Sequence, residues 1–335
     1  MFDAATFDQT PLPQPCTRNI ESAADMHAMM FQLLGENFCE LTLENALQVA
    51  PLLRDDPQPL SGYTPSTLAA WNGVYKYGWA HPDGGPLLIS CKLAADEPRH
   101  LLQPVGPFPA AAQQRLLAAM ALLPYPVRIY GVSPAFLERY PHFASHFSVT
   151  TDPASANYVY SAAELSELPG RKFHQKRNLI VQAAGLYKHT VEPLTVDNVK
   201  DCFTVLAEMD RDDNVVLQGS LANERVALLF TLNNYAAMGQ SGLVLRVDGA
   251  PVAFTIFEKL TPDTGVVHFE KARRSYKGIY QVLNKESATV MHQQMGLTFI
   301  NREEDLGNEG LKRAKESYNP VELKPSHMLT FGKPA

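Results

Sequence analysis

Four charged residues, Arg302, Glu303, Glu304 and Asp305, follow the apolar run LTFI and Asn301 with no turn between them. Carboxylates and a guanidinium placed together can deprotonate a nucleophile, orient it, or hold an anion. If LTFI is a buried strand, its period of two puts Asn301, Glu303 and Asp305 on one face and Arg302 and Glu304 on the other. Charges do not lie unpaired in a core, so the strand must leave it by Arg302, at its C-terminal end. In sheets with α/β connections that end is where ligands bind. The run therefore reads either as a solvated strand end with internal Arg–Glu pairs or as the floor of a polar pocket.

Two basic clusters could complement it. In RKFHQKRN, residues 171–178, a helical wheel places Phe173, Ile180 and Ala184 on an apolar stripe with Arg177 inside it. A guanidinium on a buried face needs a partner, either one of Glu303, Glu304 and Asp305 or an anionic ligand. Arg171, Lys172 and His174 point elsewhere. With Lys176 they read as a solvated face or as contacts to RNA or another phosphate-rich partner. In HFEKARRSYKGIYQVLNKE, residues 268–286, a strand ends at Glu270 and Lys271, a basic turn with Arg274, Lys277 and Gly278 follows, and a helix begins. Such a turn offers free N–H groups and the positive end of a helix dipole to an anion. His142 and His146 have HxxxH spacing without the glutamate of HExxH, so no metal site is expected. No G-x-S-x-G elbow or Walker-type loop is present.

The chain has 335 residues, which suits two domains, and its 45% hydrophobic and 19% charged content reads as globular. A net charge of −6 argues against a whole-surface nucleic-acid binder while allowing a local basic patch. Cys16, Cys39, Cys91 and Cys202 are widely spaced, so neither a zinc site nor a disulfide framework is indicated, and a cytoplasmic setting is expected. No basic head precedes an apolar run at the N-terminus, and no stretch approaches the length of a membrane span. Residues 1–25 read as a loose extension.

A first domain is expected over 26–155, with strands at NGVYKYGWA and PLLISCKLA around the turn PDGG, a helix at AAAQQRLLAAMALL and a strand at VRIYGV. A second is expected over 156–335. Its helices are SAAELSEL, RKFHQKRNLIVQAA, DNVKDCFTVLAEMD and NERVALLFTLNNYAAMG. A hairpin turning at Asp248-Gly249 and the strand VVHFEKA come next, then helix, strand LTFIN, helix EGLKRAKESY and a last strand. The order is a mixed α/β (α+β) layout rather than a run of βαβ units.

The strand, basic turn and helix resemble the GNAT acyltransferases, whose Q/R-x-x-G-x-G/A turn holds the pyrophosphate of acetyl-CoA. Here SYKGIY stands at that turn: Gly278 matches the middle glycine, and Tyr280 occupies the last small position. The resemblance also implies an Ala-x-x-x-Tyr on the last helix, matched by Ala314 and Tyr318, in which the tyrosine protonates a leaving group. A resemblance covering most of the chain is carried by LPGRKFHQKRN, VDGAPVAFTI, VVHFEKA, YKGIYQVLNKE and INREEDLGNEGLKRAKESYNPV. These look like the phosphatidylglycerol lysyltransferase C-terminal-like family. That implies two tandem GNAT-like domains and transfer of an acyl or aminoacyl group, from aminoacyl-tRNA or acyl-CoA as co-substrate, to an amine or hydroxyl of a small molecule, lipid or peptide. The lipid synthases of the family carry transmembrane helices ahead of this region, so a lipid acceptor does not follow from the resemblance.

On this reading Glu270 or Glu303 is the general base or orienting carboxylate, and Tyr318 the proton donor. Arg177, Lys271, Arg274, Lys277, Gly278, Arg302, Glu304 and Asp305 bind the donor. Arg171, Lys172, His174 and Lys176 meet RNA or phosphate. Two alternatives stand beside it: an acetyl-CoA-dependent N-acetyltransferase, which Tyr280 opposes, and a non-catalytic RNA- or protein-binding module. The module requires the carboxylates of 303–305 to be tied up internally.

Overall fold

The computed structural model describes residues 30–213 and 217–332. The extension expected over 1–25, with Cys16, lies outside the described residues. Two mixed sheets form the frame. The first has eight strands in the order β1-β2-β3-β4-β5-β6-β15-β7. These are β1 Met30–Leu33, β2 Glu36–Glu40, β3 Gly78–Ala80, β4 Leu88–Cys91, β5 His100–Leu102, β6 Val127–Val132, β7 Phe147–Thr151 and β15 His327–Phe331. The second has seven, in the order β14-β8-β13-β12-β11-β10-β9. They are β8 Asn157–Ser161, β9 His189–Pro193, β10 Ser241–Val247, β11 Ala250–Lys259, β12 Thr264–Ala272, β13 Phe299–Asn301 and β14 Glu322–Lys324.

Among the described residues each sheet contains a single parallel pair, β5–β6 in the first and β12–β13 in the second. A parallel pair needs a crossover. The helix Ala110–Ala121 supplies one and the helix Ile279–Thr289 the other. The same small β-α-β unit thus occurs once in each half. One hydrophobic core lies between the halves, joining Tyr63, Leu68 and Ile89 to Val244, Phe254 and Ile256. A second fills the far side of the second sheet under the helices His174–Leu186 and Ile279–Thr289, with Tyr160, Phe173, Ala183, Leu283 and Tyr318.

Three sequence expectations are corrected. NGVYKYGWA is not one strand: a helix runs over Pro65–Tyr75 and only Gly78–Ala80 is extended. The alternating Tyr75, Tyr77 and Trp79 imitated strand periodicity, but the Thr64 side chain accepts from the Thr67 N–H and Pro65 occupies the first turn, so helix nucleation wins. The helix expected over NERVALLFTLNNYAAMG is divided into Gly219–Asn233 and Tyr235–Met238. The C-terminal strand, grouped by sequence with residues 156–335, pairs with β6 and β7 of the first sheet, where Leu329 is buried among Ile129, Phe143 and Phe147. The turn at Asp248-Gly249 is present, with both residues at positive φ (50° and 84°) as a two-residue hairpin requires.

Candidate active site

β12 and β13 are hydrogen-bonded only from Thr264↔Phe299 to Val266↔Asn301. Past Asn301 the chain stays with β8 instead: the Arg302 N–H donates to the Tyr158 carbonyl (2.9 Å) and the Tyr158 N–H to the Glu303 carbonyl (3.1 Å). The two parallel strands therefore part, and Arg302 and Glu270 face each other across the opening. Arg302 Nη2 lies 2.9 Å from Glu270 Oε1, with the two side chains 15% and 6% exposed. Asn284, on the crossover helix, donates to the other carboxylate oxygen at 3.4 Å, and the Tyr280 hydroxyl donates to the Glu270 carbonyl at 2.8 Å. Asn284 Oδ1 and the hydroxyl of Thr255, Glu270's register partner on β11, are buried without a hydrogen-bond partner. Buried polar atoms of that kind are uncommon in folded proteins.

Tyr318 closes one side of the opening, its ring 5.3 Å from the Arg302 guanidinium and 3.9 Å from the Lys176 ammonium. Burial pushes its phenol up to about 12 against the pull of Arg302, so at neutral pH it carries a proton to donate. Burial and Arg302 together bring Lys176 down to about 8. Lys315 enters from below, its ammonium donating to the carbonyls of Arg302 and Glu303, and burial holds its pKa down as well.

The alternation read for residues 301–305 holds only as far as Glu303. Arg302 meets Glu270, while Glu303 lies on the opposite face. Glu303 then adopts a left-handed conformation, φ 59°, which reverses the pattern. Glu304 comes to Asn157 (3.3 Å) on Glu303's side, and Asp305 accepts from the Tyr158 hydroxyl at 2.6 Å. Burial, then Glu303, pushes the Glu304 carboxyl up. A left-handed glutamate costs on the order of 1–3 kcal/mol and persists where surrounding contacts over-determine it.

Sequence reasoning missed His268. Period two would have placed it beside Glu270, but β12 carries a bulge: Ile256 pairs with Phe269 and Phe257 with Val267, leaving His268 unpaired. A bulge re-aims a side chain, and this one turns the imidazole toward the first half. There Nε2 lies 2.7 Å from Glu258 and Nδ1 3.1 Å from Glu303, with the ring 4% exposed. Ser66, from the helix Pro65–Tyr75, donates to the same Glu258 oxygen. Burial opposes an imidazolium, but the two carboxylates outweigh it and raise His268 to about 10. His268 therefore contributes stability that is complete below pH 6.5 and is lost as pH rises through 10. The gap in unfolding free energy between the native chain and His268→Gln should narrow by about 2 kcal/mol from pH 7 to 9, by urea titration. A gap that does not change would mean a neutral imidazole in the fold.

The other expected residues are engaged separately. Arg177 does not pair with the carboxylates of 303–305; it donates to the carbonyls of Leu168 and Gly170, closing the end of the preceding helix. Lys271 pairs with Glu224 at 2.7 Å, on the face away from Glu270. Arg274 and Lys277 are exposed in the turn. Lys172 pairs with Glu164 (2.7 Å), His174 meets Asn178 (3.1 Å), and Arg171 is exposed. Three of the turn's amides are also taken up: Lys277 N–H donates to the Tyr187 hydroxyl (3.2 Å), Ile279 N–H to the Tyr276 carbonyl (3.3 Å) and Gln281 N–H to the Gly278 carbonyl (3.1 Å). A Cβ at Gly278 would lie 2.3 Å from the Leu179 carbonyl oxygen, so this glycine admits the helix His174–Leu186 against the turn. Two surface hollows, at Phe108 and Arg115 and at Pro59 and Asp263, include none of Glu270, Arg302, Glu303 or Tyr318. Among the described residues no cluster of His, Cys, Asp and Glu could hold a metal ion, and no helix is long and apolar enough to cross a membrane.

Residues 57–330 match the family described as phosphatidylglycerol lysyltransferase, C-terminal. A conserved protein of unknown function from Bacteroides thetaiotaomicron is 30% identical, with a TM-score of 0.81 over 88% of this chain and 99% of that one. The L-PGS of Bacillus licheniformis is 16% identical, with a TM-score of 0.61 over 86% of this chain and 92% of that one. FemX is 9% identical, with a TM-score of 0.55 over 85% of this chain and 95% of that one. No curated protein matches. The repeated β-α-β unit and these likenesses give the tandem, GNAT-like α/β fold that the sequence led one to expect.

Proposed function

The chain belongs to the phosphatidylglycerol lysyltransferase C-terminal family, and from that premise we propose that it moves an activated acyl or aminoacyl group, carried as the ester of a charged tRNA, to an amine or hydroxyl acceptor. One observation carries this reading. Where β12 and β13 part, a carboxylate (Glu270), a guanidinium (Arg302) and a protonated phenol (Tyr318) converge, with two buried polar atoms beside them lacking partners. In transfer, the acceptor nitrogen or oxygen attacks the ester carbonyl, the ester C–O bond breaks, and the leaving hydroxyl must gain a proton. Glu270 would orient or deprotonate the acceptor, and Tyr318 would supply the proton. Arg302 sits where it can attract the developing oxyanion. L-PGS and FemX lend the fold to this reading and no more.

The occupied amides of Lys277, Ile279 and Gln281 weigh against a CoA pyrophosphate in that turn. The non-catalytic module draws on a specific observation of its own: Glu303, Glu304 and Asp305 all have internal partners.

The deciding experiment is thermal unfolding with aminoacylated tRNA, uncharged tRNA, acetyl-CoA and CoA. A ligand at 100 times its Kd adds about 2.7 kcal/mol to the native state. Stabilisation by charged over uncharged tRNA supports aminoacyl transfer. A shift with acetyl-CoA alone overturns it in favour of acetyl transfer, and no shift with any donor favours the module. With a donor in hand, Tyr318→Phe should lower kcat about 10²-fold with KM little changed; unchanged kcat would remove the phenol from the mechanism.

A further inference from the structure

We infer that His268 is a positioning residue: bulged out of β12 and gripped by Glu258 and Glu303, it locks residues 301–305 in the conformation that aims Arg302 at Glu270. The inference rests on the reading of Glu270 and Arg302 as the site.

His268 does not reach that site directly. Its ring lies on the face toward the first half of the chain, against Glu258 and Glu303, whereas Arg302 lies on the other face against Glu270, Tyr160 and Tyr318. The link runs through the backbone. Glu303, next after Arg302, is a left-handed residue with a long side chain, at φ 59°. Four contacts hold it there. Asn301 Oδ1 accepts the Glu303 N–H at 2.8 Å, the Tyr158 N–H donates to the Glu303 carbonyl at 3.1 Å, Lys315 donates to the carbonyls of Arg302 and Glu303, and His268 Nδ1 donates to the Glu303 carboxylate. The first three grip the main chain. Only His268, among the described residues, grips the side chain. Without that grip the main-chain contacts alone oppose the return of Glu303 to the extended region that L-residues prefer, and the segment opens more often. The peptide that sets Arg302's direction then rotates, and the guanidinium loses its fixed approach to Glu270.

Glu258 makes this a link between the two halves as well. Its oxygen accepts from His268 and from Ser66, on the helix Pro65–Tyr75. The orientation of Arg302 is thereby tied to the seating of the first half.

The test reads Arg302 directly. Guanidinium N–H signals of arginine are resolved by NMR near neutral pH when a fixed ion pair slows their exchange. With [15N]arginine labelling and assignment by Arg302→Lys, the native protein should show those signals. In His268→Gln, and in the milder Glu303→Gln, their exchange should speed up at least about tenfold as the segment opens locally. The control is Arg246, held by Glu192 and Asp201, whose signals should not change. General loosening of the fold would move both arginines; loss of positioning moves Arg302 alone. Arg302 signals that persist in both variants would overturn the inference, as would equal loss at Arg246. The reading requires no donor, so its failure is distinguishable from failure of the transfer proposal. A protein that transfers nothing, yet loses the Arg302 signals in these variants, retains this role for His268.

Discussion

Arg302→Met should lower the unfolding free energy by about 3–5 kcal/mol, because it strands the Glu270 carboxylate in a buried site with no countercharge. At roughly 2–4 °C per kcal/mol for domains of 150–250 residues, the thermal midpoint should drop by several degrees. The loss does not equal the worth of the pair. Burying both charges is itself costly, and replacing both with uncharged groups of similar shape is often close to neutral. The double variant Arg302→Met/Glu270→Gln should therefore regain most of the stability lost by Arg302→Met. If the single substitution costs less than about 1 kcal/mol, water reaches Glu270, and the opening is a solvated groove rather than a dry pocket. The two variants also separate folding from chemistry. The double variant should be stable and inert, which an enzyme using Glu270 requires and a binding module does not.

Gly278→Ala is the second large effect expected. The glycine has φ 84°, and the added Cβ would meet the Leu179 carbonyl oxygen at 2.3 Å and the Ala183 methyl at 3.1 Å. The left-handed backbone costs an alanine about 1–2 kcal/mol. The collision is with main chain, which cannot swing aside like a flexible side chain, so overpacking adds about 1–3 kcal/mol more. A urea titration should show about 3 kcal/mol of lost stability. If the variant instead proves native-like in stability yet fails to bind a donor, the glycine is serving an anion and not a helix, and the occupied amides at the turn would need another explanation.

The resemblance was legible because its motifs are long and carry distinctive residues, and the strand LTFIN, the crossover helix and the Asp248-Gly249 hairpin were legible from period and turn chemistry. The sequence offered Arg–Glu pairs within a solvated charged run, whereas the structure pairs Arg302 with Glu270 in a buried setting. That glutamate was not legible, because Glu270 reaches Arg302 only where β12 and β13, paired as far as Val266↔Asn301, part. Two irregularities defeated the periodic reading. The bulge at His268 and the positive φ at Glu303 each shift the phase of a strand, so faces assigned by counting in twos come out wrong beyond them. No local residue type announces either one. Arg177 was read as needing either a carboxylate of 303–305 or an anionic ligand; two main-chain carbonyls at a helix end serve as its acceptors, which a helical wheel does not reveal.

The placement of β15 has a consequence for how the chain comes to be folded. His327–Phe331 lies between β6 and β7, pairing with residues that precede it by some 176 to 204 positions, as His327↔Thr151 and Phe331↔Val127 show. During synthesis β7 leaves the ribosome long before β15, its one sheet neighbour among the described residues, exists. The first half cannot close its sheet as a finished unit while the second is still being made, so domain-by-domain folding in order of emergence is denied to it. Contacts this distant along the chain also slow the final search. The last strand works as a clasp: the half that is translated first is the half that is completed last.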